Sequence, residues 1–472
     1  MSWADMKLHI EANENNHDFL YTVNSPTGKG EYVYGREASR RLYEMAKRHL
    51  ATQKTLEDNL HPSRLKDLLK TEIVRTFVEN EINVSQQQLQ KMFSKAIKTL
   101  KTANKAVTHY IPCVLFSVHD RNSLRDTDPK EFEIGPVKFI RTKNFFADRA
   151  EEFESYRQRI RSECLAREDE GKAQDPKAID EADEHARFMT DSLTTFFSSY
   201  DWIAVVAVPE CDADLSRLRA ETAIESALDS LKLLFGASRG QRLRQAESRL
   251  RASKTARLTR EASGRLNISV GITVAEDIPI SAEVFEAISK PQNFHLQEAG
   301  KAIVACVDPE YETHLARRFL DALTWYGQAV TEPLHSAQII KYVAAWERLT
   351  ITKKYQDNQL TERVTNRMAL LSHNRRESTF EETLTEVRKV YDWRSKLMHG
   401  SVSPFQKDLD HISYRASVIS GNALFRSLEL FARLSHGKRN PTKDELELAY
   451  TNMEENAGLA SKKHMQPPNP PE

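Results

Sequence analysis

The chain has 472 residues, of which 68 are Lys or Arg and 68 are Asp or Glu, so its formal net charge at pH 7 is zero. Hydrophobic residues make up 40% of the sequence, which is enough for sizeable cores and excludes wholesale disorder. The length predicts two or three domains. Nucleic-acid-binding domains are usually basic overall, so any polyanion site on this chain must be local.

Cysteine usage and hydropathy narrow the class further. Four cysteines lie far apart with no CxxC pair, which predicts reduced, buried thiols and neither a disulfide framework nor a zinc site. The first residues contain no apolar segment of the signal-peptide type, and the longest apolar run, from Trp202 to Val208, is far shorter than the ~20 residues of a membrane span. We expect a cytoplasmic protein with no membrane partner, no metal and no cofactor.

Residues 1–110 are predicted to form a mostly helical N-terminal region. Ser85 is the expected N-cap of a helix whose apolar residues recur with a period of about 3.6. These apolar residues are Leu89, Met92, Phe93, Ile97 and Leu100.

Residues 111–300 are predicted to mix strands and helices and to form a sensor or regulatory part. Apolar and polar residues alternate from Leu266 onward, which predicts a half-buried strand. The charged segment 146–190 is typical of a solvated helix or a flexible insertion. Three further short apolar runs predict strands; they read YIPCVLFSV, PVKFI and WIAVVAV.

One strongly basic stretch runs from Arg239 to Arg265, where nine Lys or Arg and two Glu give a local net charge of +7. Two interpretations stay open: contact with RNA or DNA phosphates, or an exposed basic connector. The candidate RNA-binding residues are Arg239, Arg242, Arg244, Arg249, Arg251, Lys254, Arg257 and Arg260.

From about Tyr311 the sequence predicts helices only. Their short connections favour an antiparallel bundle over residues 311–435. The polar, Pro-rich end, 455–472, is expected to be a disordered tail. The fold class is therefore α+β, with a mixed N-terminal region followed by an all-α bundle. The five predicted helices cover 312–330, 335–350, 360–372, 379–399 and 408–434.

Two opposite charges fall on apolar stripes of these helices. A capping box of Ser378 and Glu381 predicts a helix start near Thr379, and Arg394 then lies inside the apolar arc. Glu347 lies in the apolar arc of the second helix in the same way. An unpaired buried charge costs several kcal/mol, so we expect Arg394 and Glu347 to meet or to line a cleft. A pair that only fixes packing remains an alternative.

His399 adds a proton-transfer group five residues after Arg394. It lies about 140° around the helix from that arginine. The two side chains can meet only if they extend toward each other, if the last helical turn is distorted, or if a second copy of the helix supplies one of them. Gly400 is the expected C-terminal cap. A histidine exchanges protons near pH 7, and a fixed arginine stabilises the charge of a phosphorane-like transition state. RNA supplies its own nucleophile, the ribose 2′-OH, so no metal is required.

The string YDWRSKLMHG, residues 391–400, resembles the RxxxxH signature of HEPN domains (higher eukaryotes and prokaryotes nucleotide-binding). It is most similar to the Apea-like branch, in which a Tyr-x-x-Arg-Ser…His-Gly string recurs. The upstream segment 319–350 is similar to the first two helices of that branch, including the Glu before Leu. The resemblance covers about residues 311–435.

This resemblance implies a HEPN-type bundle and a metal-independent endoribonuclease. Arg394 and His399 would be catalytic, Ser395 would be the polar residue that follows the arginine, and Glu347 would orient Arg394. Such enzymes usually act as homodimers with both motifs in one cleft, and their products carry a 2′,3′-cyclic phosphate. The implied biology is regulated cleavage of tRNA or other cellular RNA in anti-phage defence or abortive infection. Ser401 stands where nucleotidyltransferase-controlled HEPN toxins carry a modified tyrosine.

Two other functions remain open. The bundle could serve dimerisation or RNA binding without catalysis, with Arg394 retained for structure. Alternatively, the chain could be a regulatory protein whose N-terminal region binds a phage or host trigger, with the basic stretch as the docking surface. Loss of activity in folded variants of Arg394 or His399 would separate catalysis from these alternatives.

Overall fold

A computed structural model describes most of the chain. Helices form the larger part of it and strands the smaller part, so the fold is mixed α+β, as the sequence predicted. The described residues are 21–28, 30–80, 85–119, 131–166, 176–246, 252–260, 265–274, 277–290, 292–353, 357–436 and 440–459.

The first of two compact units comprises the described residues up to Val107 together with Val208–Arg219. A hairpin opens it and four helices follow. Its core is made of buried side chains that include Leu50, Leu69 and Phe93. Its elements are β1 (Tyr21–Asn24), β2 (Glu31–Tyr34), α1 (Arg36–Leu50), α2 (Lys54–Asn59), α3 (Pro62–Ile73), which continues as a π-helix over Val74–Glu79, and α4 (Gln86–Ala103).

Helix α4 begins where the sequence predicted it. Ser85 and Gln88 form a capping box, in which each side chain satisfies the backbone N–H of the other residue. Met92, Phe93 and Leu100 are buried in the core of the first unit. The periodicity and the cap thus identified this helix correctly.

The second unit, Thr108–Ala207 with the described residues from Ala220 onward, contains a five-stranded sheet. All four segments predicted as strands form strands. The sheet strands are β3 (Lys105–Val114), β5 (Glu131–Ile134), β6 (Val137–Arg141), β7 (Trp202–Cys211) and β8 (Arg244–Gln245), with β4 (Phe116–His119) following β3 in sequence. Their spatial order is β5-β6-β7-β3-β8.

Two smaller strand pairs accompany this sheet. The strands β9 (Ala252–Arg260) and β10 (Leu266–Val274) form an antiparallel hairpin, and β11 (Ile278–Ser281) pairs in parallel with β4. Trp202 organises the aromatic core beside the sheet: its ring lies 5.2 Å from that of Phe116, and its Nε1 donates to the Phe116 carbonyl at 2.8 Å.

Helices of the second unit that precede the bundle include the charged segment of the sequence. Its two helices, α6 (Ala150–Leu165) and α7 (Pro176–Ser198), pack against each other, and Arg161 pairs with Asp183 at 2.5 Å between them. No residue of α6 is buried, as expected for a solvated helix. The other helices are α5 (Thr142–Asp148), α8 (Ala213–Phe235), of which the residues from Ala220 onward belong to this unit, and the short α9 (Ala237–Gly240).

The C-terminal half of the second unit is helical, and its third to seventh helices correspond to the five predicted ones. Trp346, Val343 and Val387 are fully buried where these helices pack together. The helices are α10 (Ala282–Ser289), α11 (Phe294–Val307), α12 (His314–Val330), α13 (His335–Thr350), α14 (Asp357–Ser372), α15 (Phe380–Met398), α16 (Leu409–Ser435) and α17 (Lys443–Asn456).

The last helix, α17, lies beyond the predicted bundle and is attached to it by a buried cation. Arg367 on α14 is fully buried and pairs with Glu447 at 2.9 Å and with Glu454 at 3.2 Å. Its guanidinium also lies 4.9 Å from the ring of Tyr450. A buried charge is tolerated when it is paired and hydrogen-bonded in this way.

The predicted domain limits at residues 110, 300, 311 and 435 stay predictions. Residues 455–459 of the predicted tail are described and include the end of α17, and 460–472 lie outside the described residues. Among the helices that the structure describes, none is long and apolar enough to cross a membrane.

Candidate active site

The helix that carries the RxxxxH pattern, α15, begins with a capping box one residue later than expected. The Glu382 carboxylate accepts a hydrogen bond from the Thr379 N–H at 2.8 Å, and Thr379 Oγ1 accepts one from the Glu382 N–H at 3.3 Å. The expected pair of Ser378 and Glu381 is therefore wrong. The Ser378 hydroxyl instead contacts Thr383 Oγ1 at 2.9 Å, which leaves Thr379 to cap the helix.

The apolar seam of α15 is buried up to Tyr391 and reaches the surface at Arg394. Leu384 and Val387 are buried, whereas the Arg394 side chain is 27% exposed and that of Glu347, on α13, is 21% exposed. Arg394 Nη2 donates to Glu347 Oε2 at 3.0 Å. The two charges thus meet at the edge of the bundle, where the pair keeps contact with solvent.

The sequence predicted no separate role for Tyr391, although it is the first residue of the string YDWRSKLMHG. Its hydroxyl donates to Glu347 Oε1 at 2.9 Å, and the guanidinium carbon of Arg394 lies 5.6 Å from its ring. Burial, and then the negative charge of Glu347, raise the pKa of Tyr391 to about 12, so the phenol stays protonated. Each carboxylate oxygen of Glu347 therefore has its own donor. A tyrosine one helical turn before the arginine was the available signal.

The Arg394 guanidinium keeps most of its hydrogen-bonding capacity. Of its five N–H donors, the described contacts use one, on Nη2, for Glu347. The buried Nε has no partner among the described residues. A guanidinium oriented by a carboxylate on one side can bind a phosphate through its remaining donors, in the paired geometry that arginine favours.

His399 lies at the C-terminal end of α15, in a turn that the backbone holds. Gly400 has a φ of 68°, and its N–H donates to the Leu397 carbonyl at 3.3 Å. The Ser401 N–H donates to the Lys396 carbonyl at 2.9 Å. These two hydrogen bonds form the Schellman motif, so Gly400 is the C-terminal cap that the sequence predicted. The His399 side chain is exposed.

The structure does not join the side chains of Arg394 and His399. In the part of the chain that is described, no hydrogen bond or ring contact links them. Ser395 is half-buried, and its carbonyl accepts the His399 N–H at 3.0 Å within the last helical turn. Arg394 contacts α13 while His399 is exposed at the helix end, in keeping with the angular separation expected from their spacing.

A cleft of about 480 Å³ opens beside this turn. It lies between the first turns of α13 and the loop that follows His399, and its size is in the range of ligand pockets. Its lining combines apolar side chains with serine hydroxyls. The lining includes Ser336, Ile340, Leu397, Ser401 and Ser403.

The candidate RNA-binding residues of the basic stretch are spread over several elements. Arg249 and Arg251 lie outside the described residues, and the part played by the whole set in RNA binding stays a prediction. Of the others, Arg239 lies in α9, Arg242 follows it, Arg244 lies in β8, and Lys254, Arg257 and Arg260 lie in β9.

No protein-family model, curated protein or solved structure matches this chain. Within the described ranges, no group of three or more His, Cys, Asp or Glu side chains could hold a metal ion.

Proposed function

We propose that the chain is a metal-independent endoribonuclease of the HEPN type, with Arg394 and His399 as its catalytic residues. The observation that carries the proposal is the orientation of Arg394. Its guanidinium donates to Glu347, which also accepts a hydrogen bond from Tyr391, and the Arg394 side chain stays 27% exposed. The described contacts use one of its five N–H donors. A guanidinium that is held in place and still reaches solvent can bind a phosphate.

The two residues supply the chemistry that RNA cleavage requires. Arg394 binds the scissile phosphate and stabilises its added negative charge in the transition state. The ribose 2′-oxygen forms a bond to phosphorus as its proton passes to a histidine, and the bond from phosphorus to the 5′-oxygen breaks as that oxygen takes a proton. The products are a 2′,3′-cyclic phosphate and a 5′-hydroxyl.

A homodimer completes the proposed site. His399 is exposed at the end of α15 and has no described contact with the Arg394 side chain, so a second copy can bring its own histidine to this arginine. In each of the two sites of such a dimer, the histidine takes the 2′-OH proton and returns a proton to the leaving 5′-oxygen. The N-terminal region then serves regulation, and a defence role triggered by infection is the corresponding biology.

The direct test is RNA cleavage by the purified full chain in EDTA, with mixed tRNA and other cellular RNA as substrates. We expect wild-type protein to leave cyclic-phosphate ends, and Arg394→Ala and His399→Ala each to lower the rate by at least about 100-fold. Arg415→Ala is the control for the arginine, because Arg415 also forms a partly exposed pair within the bundle, with Glu386 at 3.3 Å.

His436→Ala is the matched control for the histidine, since His436 is an exposed residue at the C-terminus of α16. Both control variants should cleave as the wild type does. Thermal unfolding of every variant must show that its fold is intact. Equal cleavage by wild type and folded His399→Ala would mean that His399 is not catalytic. Absence of cleavage by folded wild-type protein would favour the alternative, a bundle used for dimerisation or RNA binding without catalysis.

A further inference from the structure

A second cleft, of about 400 Å³, lies between the C-terminal end of α8 and helix α10. Its volume is in the range of pockets that hold small molecules. Its lining comes from residues between Leu234 and Asn293. This cleft therefore belongs to the segment 111–300, which the sequence predicted to be a sensor or regulatory part, and it is separate from the candidate active site and from the helical bundle.

Apolar side chains from three elements form the walls of the second cleft. Val284, Ala287 and Ile288 lie on one face of α10, since they are three and four residues apart. Ile280 of β11 and Phe235, the last residue of α8, complete the apolar surface. Ile280 and Ile288 are buried, whereas Val284 is 42% exposed. The second cleft thus has a buried apolar floor beside a wall that solvent reaches.

The uncharged polar side chains of the lining are used by the backbone of neighbouring helices. Ser281 Oγ accepts the Val284 N–H at 3.4 Å and caps α10. Asn293 Oδ1 accepts the Leu296 N–H at 3.2 Å and caps α11, and its Nδ2 donates to the Ala287 carbonyl at 3.2 Å. These two side chains therefore stabilise helix ends, and the apolar walls dominate what a ligand meets.

Arg239 is the charged residue among the described residues that line the second cleft. Its side chain is exposed in the short helix α9, and it forms no ion pair within the described ranges. Helix α9 lies close against α8, because a Cβ atom at Gly240 would come within 2.8 Å of Lys232 Cα. A single guanidinium with its charge available is thus held on a close-packed turn beside an apolar cleft.

We propose that the second cleft binds a small apolar carboxylate, with its carboxylate on Arg239 and its apolar body against Ile280 and Ile288. A guanidinium binds a carboxylate through two parallel N–H donors. Burial of the apolar body removes its surface from water, which supplies the rest of the affinity. One cation matches one anionic group, whereas a nucleic-acid backbone requires several cations. The proposal does not depend on ribonuclease activity.

Calorimetric titration of the full chain with octanoate and with 2-naphthoate, in buffer of near-physiological salt, tests the site. We expect at least one of the two probes to bind saturably, with one molecule per chain. Arg239→Gln should bind that probe at least about tenfold more weakly, because a hydrogen bond between charged groups is lost. Arg260→Gln is the matched control and should bind as the wild type does, because Arg260 is an exposed arginine of β9 outside the lining.

Two results of these titrations would overturn the proposal. One is the absence of saturable binding by both probes. The other is equal binding by wild type and Arg239→Gln, with the fold of the variant shown to be intact by thermal unfolding. Octan-1-ol has the same chain as octanoate without its charge, so it should bind more weakly to the wild type. Equal affinities of the alcohol and of a bound octanoate would remove the part assigned to Arg239.

A variant that fills the second cleft tests the place of binding without changing Arg239. Ala287 is exposed at the lining, so Ala287→Phe should occupy part of the cleft and weaken binding by at least about tenfold. Glu286→Phe introduces the same ring at the preceding position of α10, which is exposed and outside the lining, and it should retain binding. Full binding by folded Ala287→Phe would show that the carboxylate binds elsewhere.

Discussion

At the scale of single residues, the orientation of Arg394 depends on a side chain with no direct part in the proposed chemistry. Tyr391 donates to one carboxylate oxygen of Glu347, and Arg394 donates to the other. Without the tyrosine, the carboxylate can rotate and the guanidinium loses its fixed position. Tyr391 is thus a positioning residue, and its contribution should be visible in the rate of the chemical step.

We expect Tyr391→Phe to lower kcat by about 10–150-fold, since a hydrogen bond to a charged group contributes about 1.5–3 kcal/mol. KM should change little, because Arg394 keeps its charge and still attracts the phosphate. Tyr414→Phe, at an exposed tyrosine of α16, is the control and should be neutral. Steady-state kinetics on a defined RNA would check this. An unchanged kcat in Tyr391→Phe would mean that Arg394 is oriented without the phenol.

Gly327 is the clearest case in which the fold requires a residue without a side chain. A Cβ atom at this position of α12 would overlap the carboxylate of Asp229, which is buried. This carboxylate accepts a hydrogen bond from Lys232 Nζ at 2.7 Å. Gly327→Ala should lower the free energy of unfolding by about 2–3 kcal/mol, because the charged pair cannot move aside cheaply.

Gly421→Ala is the matched control for this substitution. Gly421 is also helical, in α16, but the nearest atom to an added Cβ is Leu233 Cδ1 at 3.7 Å, an ordinary contact. Alanine there should be neutral or stabilise the protein by up to about 1 kcal/mol. Urea unfolding followed by circular dichroism compares the two variants. Equal midpoints would show that the contact of Gly327 with Asp229 imposes no constraint.

At the scale of elements, the C-terminal turn of α15 connects sequence to proposed chemistry most directly. Gly400 alone takes a positive φ in this turn, and the hydrogen bonds around it fix the backbone of His399. Gly400→Ala should lower stability by about 1–2 kcal/mol, because a Cβ disfavours the left-handed conformation. It should also lower RNA cleavage, since the turn that holds His399 opens.

Gly400→Asn separates the effect of backbone strain from the effect of adding any side chain at this position. Asparagine adopts the left-handed conformation more readily than alanine, so this variant should retain more stability and more cleavage than Gly400→Ala. Thermal unfolding and initial cleavage rates give the two measurements. If both variants cleaved RNA equally well, the turn would have no part in placing His399.

Elements with strong local signals could be predicted from the sequence. The alternation after Leu266 gave β10, and the cap and periodicity after Ser85 gave α4. The start of α15 was displaced by one residue because Ser378 with Glu381 and Thr379 with Glu382 satisfy the same pattern. Only tertiary contacts decide between two such overlapping capping boxes.

Long-range pairs are the part that local patterns could not supply. Helix α17 is rich in acidic residues, which is typical of a solvated helix, yet Glu447 and Glu454 pair with the buried Arg367 of α14. Likewise, Tyr391 and Glu347 are 44 residues apart in the chain. The spacing of the apolar residues indicated that Glu347 and Arg394 face the interior of the same bundle. It did not indicate that a third residue, Tyr391, donates a hydrogen bond to Glu347.

At the scale of the whole molecule, distant segments build each unit. Val208–Arg219 belongs to the first unit although about 100 residues separate it from the rest. Within that unit, the Asp212 carboxylate accepts the His61 N–H, and Arg64 pairs with Asp214 at 3.2 Å. Composition is a property of contiguous stretches of sequence, so it does not indicate that a later segment packs with an earlier one.

The proposed dimer leads to a prediction that needs both copies. Arg394→Ala and His399→Ala should each be inactive as homodimers. A heterodimer of the two variants can be purified by two different affinity tags. If each site pairs Arg394 of one copy with His399 of the other, one of its two sites lacks both catalytic residues. If arginine and histidine act across the interface, its other site combines Arg394 of one copy with His399 of the other, and activity should return to about half that of the wild type.

Within one copy, the side chains of Arg394 and His399 have no described contact, and about 140° of helix rotation separates them, which is why complementation is expected. A heterodimer of the double variant Arg394→Ala, His399→Ala with His399→Ala is the control, because no pairing across its interface contains both residues. Cleavage in the first heterodimer and none in the control would place catalysis at the interface. An inactive first heterodimer, shown to be folded and dimeric, would mean that Arg394 and His399 of the same copy act together. Each subunit of this heterodimer lacks one of the two residues, so neither could then form a complete site.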